Sequence, residues 1–425
     1  MANIPHHALQ DAQDLDLLMQ EIGNARIVLL GEASHGTSEF YTWRTAISKR
    51  LIQEKGFNFI SVEGDWPDCF EVNNFIKGHR TDNATALEVL QTYNRWPTWM
   101  WGNWEVAALA DWLKQHNAAK SEKEKVGFYG LDVYSLWDSL QEILQYLEQK
   151  DGVAVTAARK AFRCFEPYSE DPQEYARAVA FVSQDCEDEI VEMLHTLRTK
   201  ALGTGTNRES EFDAEQNALV AVNAERYYRA MIRGGGSSWN VRDRHMMETL
   251  TRLLDLHGPD AKAIIWEHNT HVGDARYTDM ARSGMVNVGQ LVREQYGEEN
   301  VYIVGFGTYK GSVIAADEWG EPMEIMEVPA APPGTWENML HEISANNKLI
   351  FSKELHDLKD LEKPIGHRAI GVVYHPRRER FGNYVPTIIP RRYDAFAYID
   401  TTRALHPLAI HQDHNQPPEL YPWAE

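Results

Sequence analysis

Short apolar runs that each stop at a titratable residue constrain this chain more than any other feature. Arg26-Ile27-Val28-Leu29-Leu30 stops at Gly31-Glu32. Phe57-Asn58-Phe59-Ile60-Ser61-Val62 stops at Glu63-Gly64, and Val126-Gly127-Phe128-Tyr129 runs out at Gly130-Leu131-Asp132. Ala261-Lys262-Ala263-Ile264-Ile265-Trp266 repeats the pattern and ends at Glu267-His268, and Val301 to Phe306 is a further run. Such runs, aliphatic and β-branched without strict polar alternation, read as strands buried on both faces. Helical stretches separate them, a βαβ pattern that makes the sheet mainly parallel. The expected fold class is therefore α/β, three layers around a mainly parallel sheet. Residues 1–134 and 257–425 would form its core.

Residues 135–256 read differently. They are rich in Glu, Arg, Ala and Leu, with few strand candidates, and are expected to form a large helical subdomain inserted into the core. Gly203-Thr204-Gly205-Thr206-Asn207 and Gly234-Gly235-Gly236 interrupt it. The triple glycine reads as a linker, with a hinge beside a site as the alternative. Late in the chain, Ala369 to Tyr374 and Ala395 to Ile399 look like closing strands. No internal repeat is present.

In open α/β sheets, ligands bind beyond the carboxyl ends of the strands. Four separate segments here aim carboxylates and imidazoles at that edge: Glu32 and His35, Glu63 and Asp65, Asp132, and Glu267 with His268 and His271. In Gly31-Glu32-Ala33-Ser34-His35-Gly36-Thr37 the flanking glycines suit a tight strand-to-helix turn. The three-residue spacing sets Glu32 and His35 on one side of it. A carboxylate neighbour holds a histidine in one tautomer and makes it a better base. The same residues would equally serve a capping loop, with Thr37 or Ser38 starting a helix whose stripe is Phe40, Ile47, Leu51 and Ile52 and whose end is Gly56. Near Glu63, Asp65 and Asp68 fit helix caps before and after Pro67, which leaves Glu63 for a site. Arg44 either clamps a carboxylate or lies on a solvated helix face. Asp243 either orients a histidine or caps a helix. His268 and His271 can share a ligand, and with two glutamates they would also satisfy a divalent metal ion. The spacing matches no HExxH-type signature, so metal-free chemistry is the leading reading.

The chain lacks a GxSxG elbow, a P-loop and a GxGxxG turn, so an acyl-serine enzyme is not expected. A formal net charge of -21, from 63 acidic and 42 basic residues, opposes a nucleic-acid surface or docking on anionic lipid. No run approaches the ~18 apolar residues of a membrane span. The start, MANIPHHALQDAQDLDLLMQ, has no basic segment followed by an apolar one. Cys69, Cys164 and Cys186 are odd in number, widely spaced and without CxxC, which disfavours disulfides and fits a reducing cytoplasm. Nothing in the sequence sets an oligomeric state.

At these residues the sequence resembles the erythromycin esterase family over roughly residues 15 to 410. The resemblance is carried by LLGEASHGTSEFYTWR (29–44), FISVEGDWPD (59–68), SWNVRDRHM (238–246), EHNTHV (267–272) and VGQLV (288–292). It implies hydrolysis of a macrolide lactone ester without a covalent serine intermediate. Glu32, His35, Arg44, Glu63, His268 and His271 match the family's functional positions, the histidine of the first motif being the general base. GEASHGTSEF, VEGDWPD and WPTWMW bring the chain closer to esterase-like proteins, some called succinoglycan biosynthesis proteins, than to the antibiotic-resistance enzymes. The expectation is a catalytic set of Glu32, His35, Glu63, His268 and His271. Arg44, Asp243 and Trp101 would touch a small-molecule ester or lactone, with no cofactor required. Two alternatives use the same cleft. One is a metal-dependent hydrolase. The other is a non-catalytic binder of a large apolar ligand lined by Trp96, Trp99, Trp101 and Trp104, residues that would otherwise be packing.

Overall fold

The apolar runs become strands in a computed structural model, which describes residues 4–148, 152–168, 175, 178, 185–201, 208–233 and 236–409. The first eight strands are β1 (His7–Ala8), β2 (Ile27–Leu30), β3 (Phe59–Val62), β4 (Gly127–Gly130), β5 (Ala263–Trp266), β6 (Val301–Ala315), β7 (Glu324–Val328) and β8 (Lys348–Phe351). β9 (Ile365–Arg368) and β10 (Tyr384–Thr387) pair only with each other, antiparallel. β11 (Ala395–Thr402) completes a nine-stranded sheet of order β1-β8-β11-β6-β2-β5-β3-β4, with β7 on β6. β2 runs parallel to both neighbours, Ile27 facing Ala263 and Val301, and β11 runs parallel to β6. β1, β7 and β8 run antiparallel to their partners, so the sheet is mixed and mostly parallel. Every residue of β2, β3, β4, β5 and β8 is buried, which requires cover on both faces of the sheet.

Two expected strands come out differently. β6 continues to Ala315, past the Phe306 read from the sequence, because β11 and β7 both pair with its second half. Ala369 to Tyr374 forms only isolated bridges, Ile370 to Ser34 and Val373 to Ala316. Its amide and carbonyl groups are taken by turns, Ile370 N by Ala33 O at 2.8 Å, rather than by a neighbouring strand.

Contacts divide the chain into two compact units. The first comprises Met1–Ser61, Val72–Phe128 and Asp260–Glu425, and holds most of the sheet. The second comprises Val62–Glu71 and Tyr129–Pro259. It is helical: Leu136–Glu148, Gly152–Phe165, Glu187–Thr196, Arg208–Arg233 and Ser237–His257. These helices enclose a core of Val133, Leu136, Leu140, Ile143, Ile190, Ala218 and their neighbours. Gly203 to Asn207, Gly234 and Gly235 lie outside the described residues. No helix among the described residues is long and apolar enough to cross a membrane.

The second unit corrects the cysteine reading. Cys164, in helix Gly152–Phe165, is disulfide-bonded to Cys186, which precedes helix Glu187–Thr196. The two are 22 positions apart, but two helix ends bring their Cα atoms to 5.9 Å. Cys69 is free and buried. A disulfide belongs to oxidising surroundings, so cysteine usage no longer supports a reducing cytoplasm.

Asp213 gives this unit a pH dependence. Its Oδ1 accepts from Trp66 Nε1 at 2.8 Å and from Asn217 Nδ2 at 3.0 Å. Burial, aided by the charges of Glu142, Glu71 and Glu209, pushes its carboxyl up to about 7 against the Trp66 hydrogen bond. The folded chain then keeps a proton that the unfolded chain releases near pH ~4. The stability this contributes is complete below pH ~4 and is lost as pH rises through about 7. Asp213→Asn should therefore match the parent in Tm at low pH and exceed it at about pH 8. Calorimetry at both values checks this. An equal difference at both would refute it.

Candidate active site

The turn after β2 is built by two glycines. A Cβ on Gly31 would lie 2.1 Å from Asn269 Oδ1, and one on Gly36 would lie 2.0 Å from Ile314 O. Only glycine permits these approaches. Gly36 O accepts from Ile314 N at 3.0 Å and from Leu405 N at 2.9 Å, so the turn is fixed from two sides. Helix Ser38–Lys55 starts directly after it, and Gly56, at φ 70°, ends that helix in the left-handed conformation. Thr37 is the N-cap residue, but its hydroxyl is bonded to Ser34 rather than to the helix amides.

His35 Nδ1 donates to Glu32 Oε1 at 2.8 Å, and both side chains are buried. The other oxygen, Glu32 Oε2, accepts from Arg44 at 2.6 Å. Arg44 is fully buried, its guanidinium 4.4 Å from the Tyr41 ring centroid and 4.6 Å from that of Trp266. A guanidinium on aromatic faces is held by the ring quadrupoles. Arg44 thus clamps the Glu32 carboxylate and does not lie on a solvated helix face. Because His35 uses Nδ1–H toward Glu32, its Nε2 keeps the lone pair of a base.

His268 ends the segment after β5 and caps the short helix Asn269–Val272. Thr270 N donates to His268 Nδ1 at 3.3 Å, and Thr270 Oγ1 lies 2.8 Å from the same nitrogen. An accepting Nδ1 places the proton of the neutral ring on Nε2. The His35 and His268 rings are neighbours, with centroids 5.0 Å apart and planes at 44°. One ring offers an acceptor and the other a donor. His271 is buried in the same short helix.

Asn269 locks these pieces together. Its N–H donates to Glu32 O at 2.8 Å, its Oδ1 accepts from Phe306 N at 3.2 Å, and its Nδ2 donates to Phe306 O at 2.6 Å. His367 Nε2 lies 3.2 Å from Nδ2, and His367 Nδ1 lies 2.6 Å from Glu337 Oε1. Burial pushes the His367 ring down despite the Glu337 charge, so it is neutral and can accept from Asn269. Glu337 and His367 support the centre and were not singled out in the sequence. No motif marks them, since both lie far along the chain from β2 and β5.

Glu63 lies in the second unit. Its Oε1 accepts from Arg242 at 2.6 Å, and Arg242 also reaches Asp132 at 2.9 and 2.7 Å. Burial alone would raise the Asp132 carboxyl, but Arg242 outweighs it and holds the group below the usual range. Arg242 stacks 4.9 Å from the Tyr134 ring centroid. Arg242 was missed, although it stands inside the SWNVRDRHM motif. Asp243 beside it is fully buried and well inside helix Ser237–His257, so it is not a cap. In the first unit, Trp101 is 5% exposed and packs against Tyr41 and Phe128. Trp99 and Trp104 are buried too, whereas Trp96 lies tilted against the exposed Trp319, with ring centroids 4.6 Å apart. Trp101 therefore sits among buried aromatic side chains.

Among the described residues, no group of three or more His, Cys, Asp or Glu is arranged to hold a metal ion. Both oxygens of Glu32 already serve His35 and Arg44, which suits a hydrogen-bonded relay.

The model of the erythromycin esterase family matches residues 52–402. The chain is 22% identical over 400 residues to an erythromycin esterase type II of Escherichia coli, covering 86% of this chain and 90% of that protein. It is 20% identical over 422 residues to a putative hydrolase, YbfO, of Bacillus subtilis (strain 168), covering 91% and 86%. Among solved structures, a succinoglycan biosynthesis protein superposes with a TM-score of 0.77 at 20% identity, covering 94% of this chain and 95% of that one. A mutant erythromycin esterase, EreC, in its open conformation superposes with a TM-score of 0.66 at 16% identity, covering 93% and 95%.

Proposed function

The chain belongs to the erythromycin esterase family and is a hydrolase, and from that premise we propose that it cleaves a carboxylic ester or lactone with water activated by His35. The observation that carries this reading is the buried relay Arg44–Glu32–His35, with links of 2.6 and 2.8 Å. Glu32 fixes the imidazole tautomer and compensates the charge that forms on it, while Arg44 holds Glu32 in place. His35 Nε2 takes one proton from water as the water oxygen bonds to the carbonyl carbon. His268 Nε2–H donates to the oxyanion of the tetrahedral intermediate. Collapse breaks the acyl C–O bond, and the proton on His35 passes to the leaving alkoxide. The products are an acid and an alcohol, or one hydroxy acid from a lactone. His271 is assigned to orienting the His268 segment. Glu63 is given no step, because its carboxylate is the acceptor of the Arg242 ion pair. The substrate is proposed as a class, since the similar proteins carry both esterase and succinoglycan names.

Hydrolysis of an ester and lactone panel in 18O-labelled water tests the reading. One label should enter the acid product, and no acyl adduct should appear in the intact mass of the protein. A serine adduct would overturn the direct attack of water. Tight binding without turnover would favour a binding protein. Activity abolished by chelation and restored by a stoichiometric divalent ion would favour the metal-dependent alternative.

A further inference from the structure

Residues Arg403 to Leu408 leave β11 and run across the turn that carries His35. Ser38 N donates to Arg403 O at 2.9 Å, Leu405 N donates to Gly36 O at 2.9 Å, and Thr37 bridges Ala404. On its other side the segment meets the start of helix Trp104–Asn117. Trp104 N donates to His406 O at 3.0 Å, Leu408 N donates to Gly102 O at 2.9 Å, and Asn103 bridges Pro407. The segment is a strap between the catalytic turn and that helix.

Two carboxylates fasten it. Glu39 accepts from Arg403 N at 2.8 Å and from Arg403 Nε at 3.1 Å, but Arg403 is 54% exposed in its side chain, so water weakens that pair. Glu105 is different, with a side chain only 1% exposed. Its Oε1 accepts from Ser38 Oγ at 2.6 Å and from His406 Nδ1 at 2.7 Å, and its Oε2 accepts from His406 N at 3.4 Å. One buried carboxylate therefore joins the first residue of the catalytic helix to the strap. It also lies in the first turn of its own helix, where the dipole favours a negative charge. Neither Glu105 nor His406 takes part in the hydrolytic step.

We propose that Glu105 and His406 are positioning residues, a latch that closes the strap on the catalytic turn and so holds His35 against Glu32. Without the strap, Gly36 O keeps only Ile314 N as a partner. Loosening the turn directly after His35 lets the imidazole drift, and a displacement of about 1 Å costs on the order of a hundredfold in rate. The consequence for turnover rests on the hydrolase reading, whereas the latch itself does not.

The test is therefore double. Amide exchange at Ser38 and Leu405 is followed in the full chain for His406→Ala and His406→Gln. Alanine should speed exchange about tenfold, the effect of losing one hydrogen bond to a buried carboxylate. Glutamine, which can still donate to Glu105, should restore most of the protection. On an ester that the parent hydrolyses, His406→Ala should lower kcat about tenfold with KM nearly unchanged. Unchanged exchange in a folded His406→Ala protein would overturn the latch. Faster exchange with unchanged kcat would overturn the positioning role. Should the alanine variant fail to fold, Glu105→Gln, equal in shape without the charge, carries the same measurements. Exchange needs no substrate, so it decides the latch even if the parent hydrolyses no ester and the functional reading falls.

Discussion

His35→Gln should lower kcat by between about a hundredfold and ten-thousandfold, the usual contribution of a positioned general base, while Tm stays close to the parent value. Glutamine is the informative replacement. Its amide can donate to Glu32 Oε1 as His35 Nδ1 does at 2.8 Å, so the buried carboxylate keeps both partners. What it lacks is the lone pair of Nε2. His35→Ala should lose as much activity and also some stability, because Glu32 then retains Arg44 alone. Steady-state kinetics with a thermal melt of each variant separate the two effects. A glutamine variant that kept more than about a tenth of the parental kcat would end the case for His35 as the base.

Arg44→Met should be the most destabilising single change in the centre, by about 3–5 kcal/mol in urea unfolding. The reason is what remains rather than what leaves. Glu32 would be a buried carboxylate without its 2.6 Å partner, and the Tyr41 and Trp266 faces would lose the cation between them. Adding Glu32→Gln to Arg44→Met should restore part of the stability and none of the activity, because the stranded charge is removed together with the relay. A loss below about 1 kcal/mol in the single variant would show that the buried pair is not what secures the turn.

The sequence disclosed the elements whose signal is local. β2, β3, β4 and β5 are uninterrupted apolar runs, and each appears within a few residues of where it was read. Glu32 and His35 were legible because three residues and two glycines define their turn. Arg44 was legible as a clamp but not as a buried one, since a helical arginine in sequence looks the same on a wet face or a dry one. Three features escaped for the opposite reason. The support of Asn269 by His367 and Glu337 joins segments 98 and 30 positions apart, with no motif at His367 or Glu337. Cys164 and Cys186 meet only because two helix ends do. Ala369 to Tyr374 has strand composition, but its neighbours are turns. Composition also gave the tryptophan run at 96 to 104 a choice between lining and packing. Trp99, Trp101 and Trp104 are buried.

The position of β2 between β5 and β6 also sets the order of events during synthesis. Arg26 Nε bonds the carbonyl of Ala261 across 235 positions of chain. At roughly 5–20 residues per second, a ribosome needs about ten to fifty seconds to produce that partner. Through this interval Ile27 to Leu30, with every side chain destined for burial, has neither neighbouring strand. An unpaired apolar strand is a template for pairing with another chain. The nascent protein therefore carries an unpaired apolar segment that leads directly into the turn of Glu32 and His35, and chaperone capture there would protect the fold.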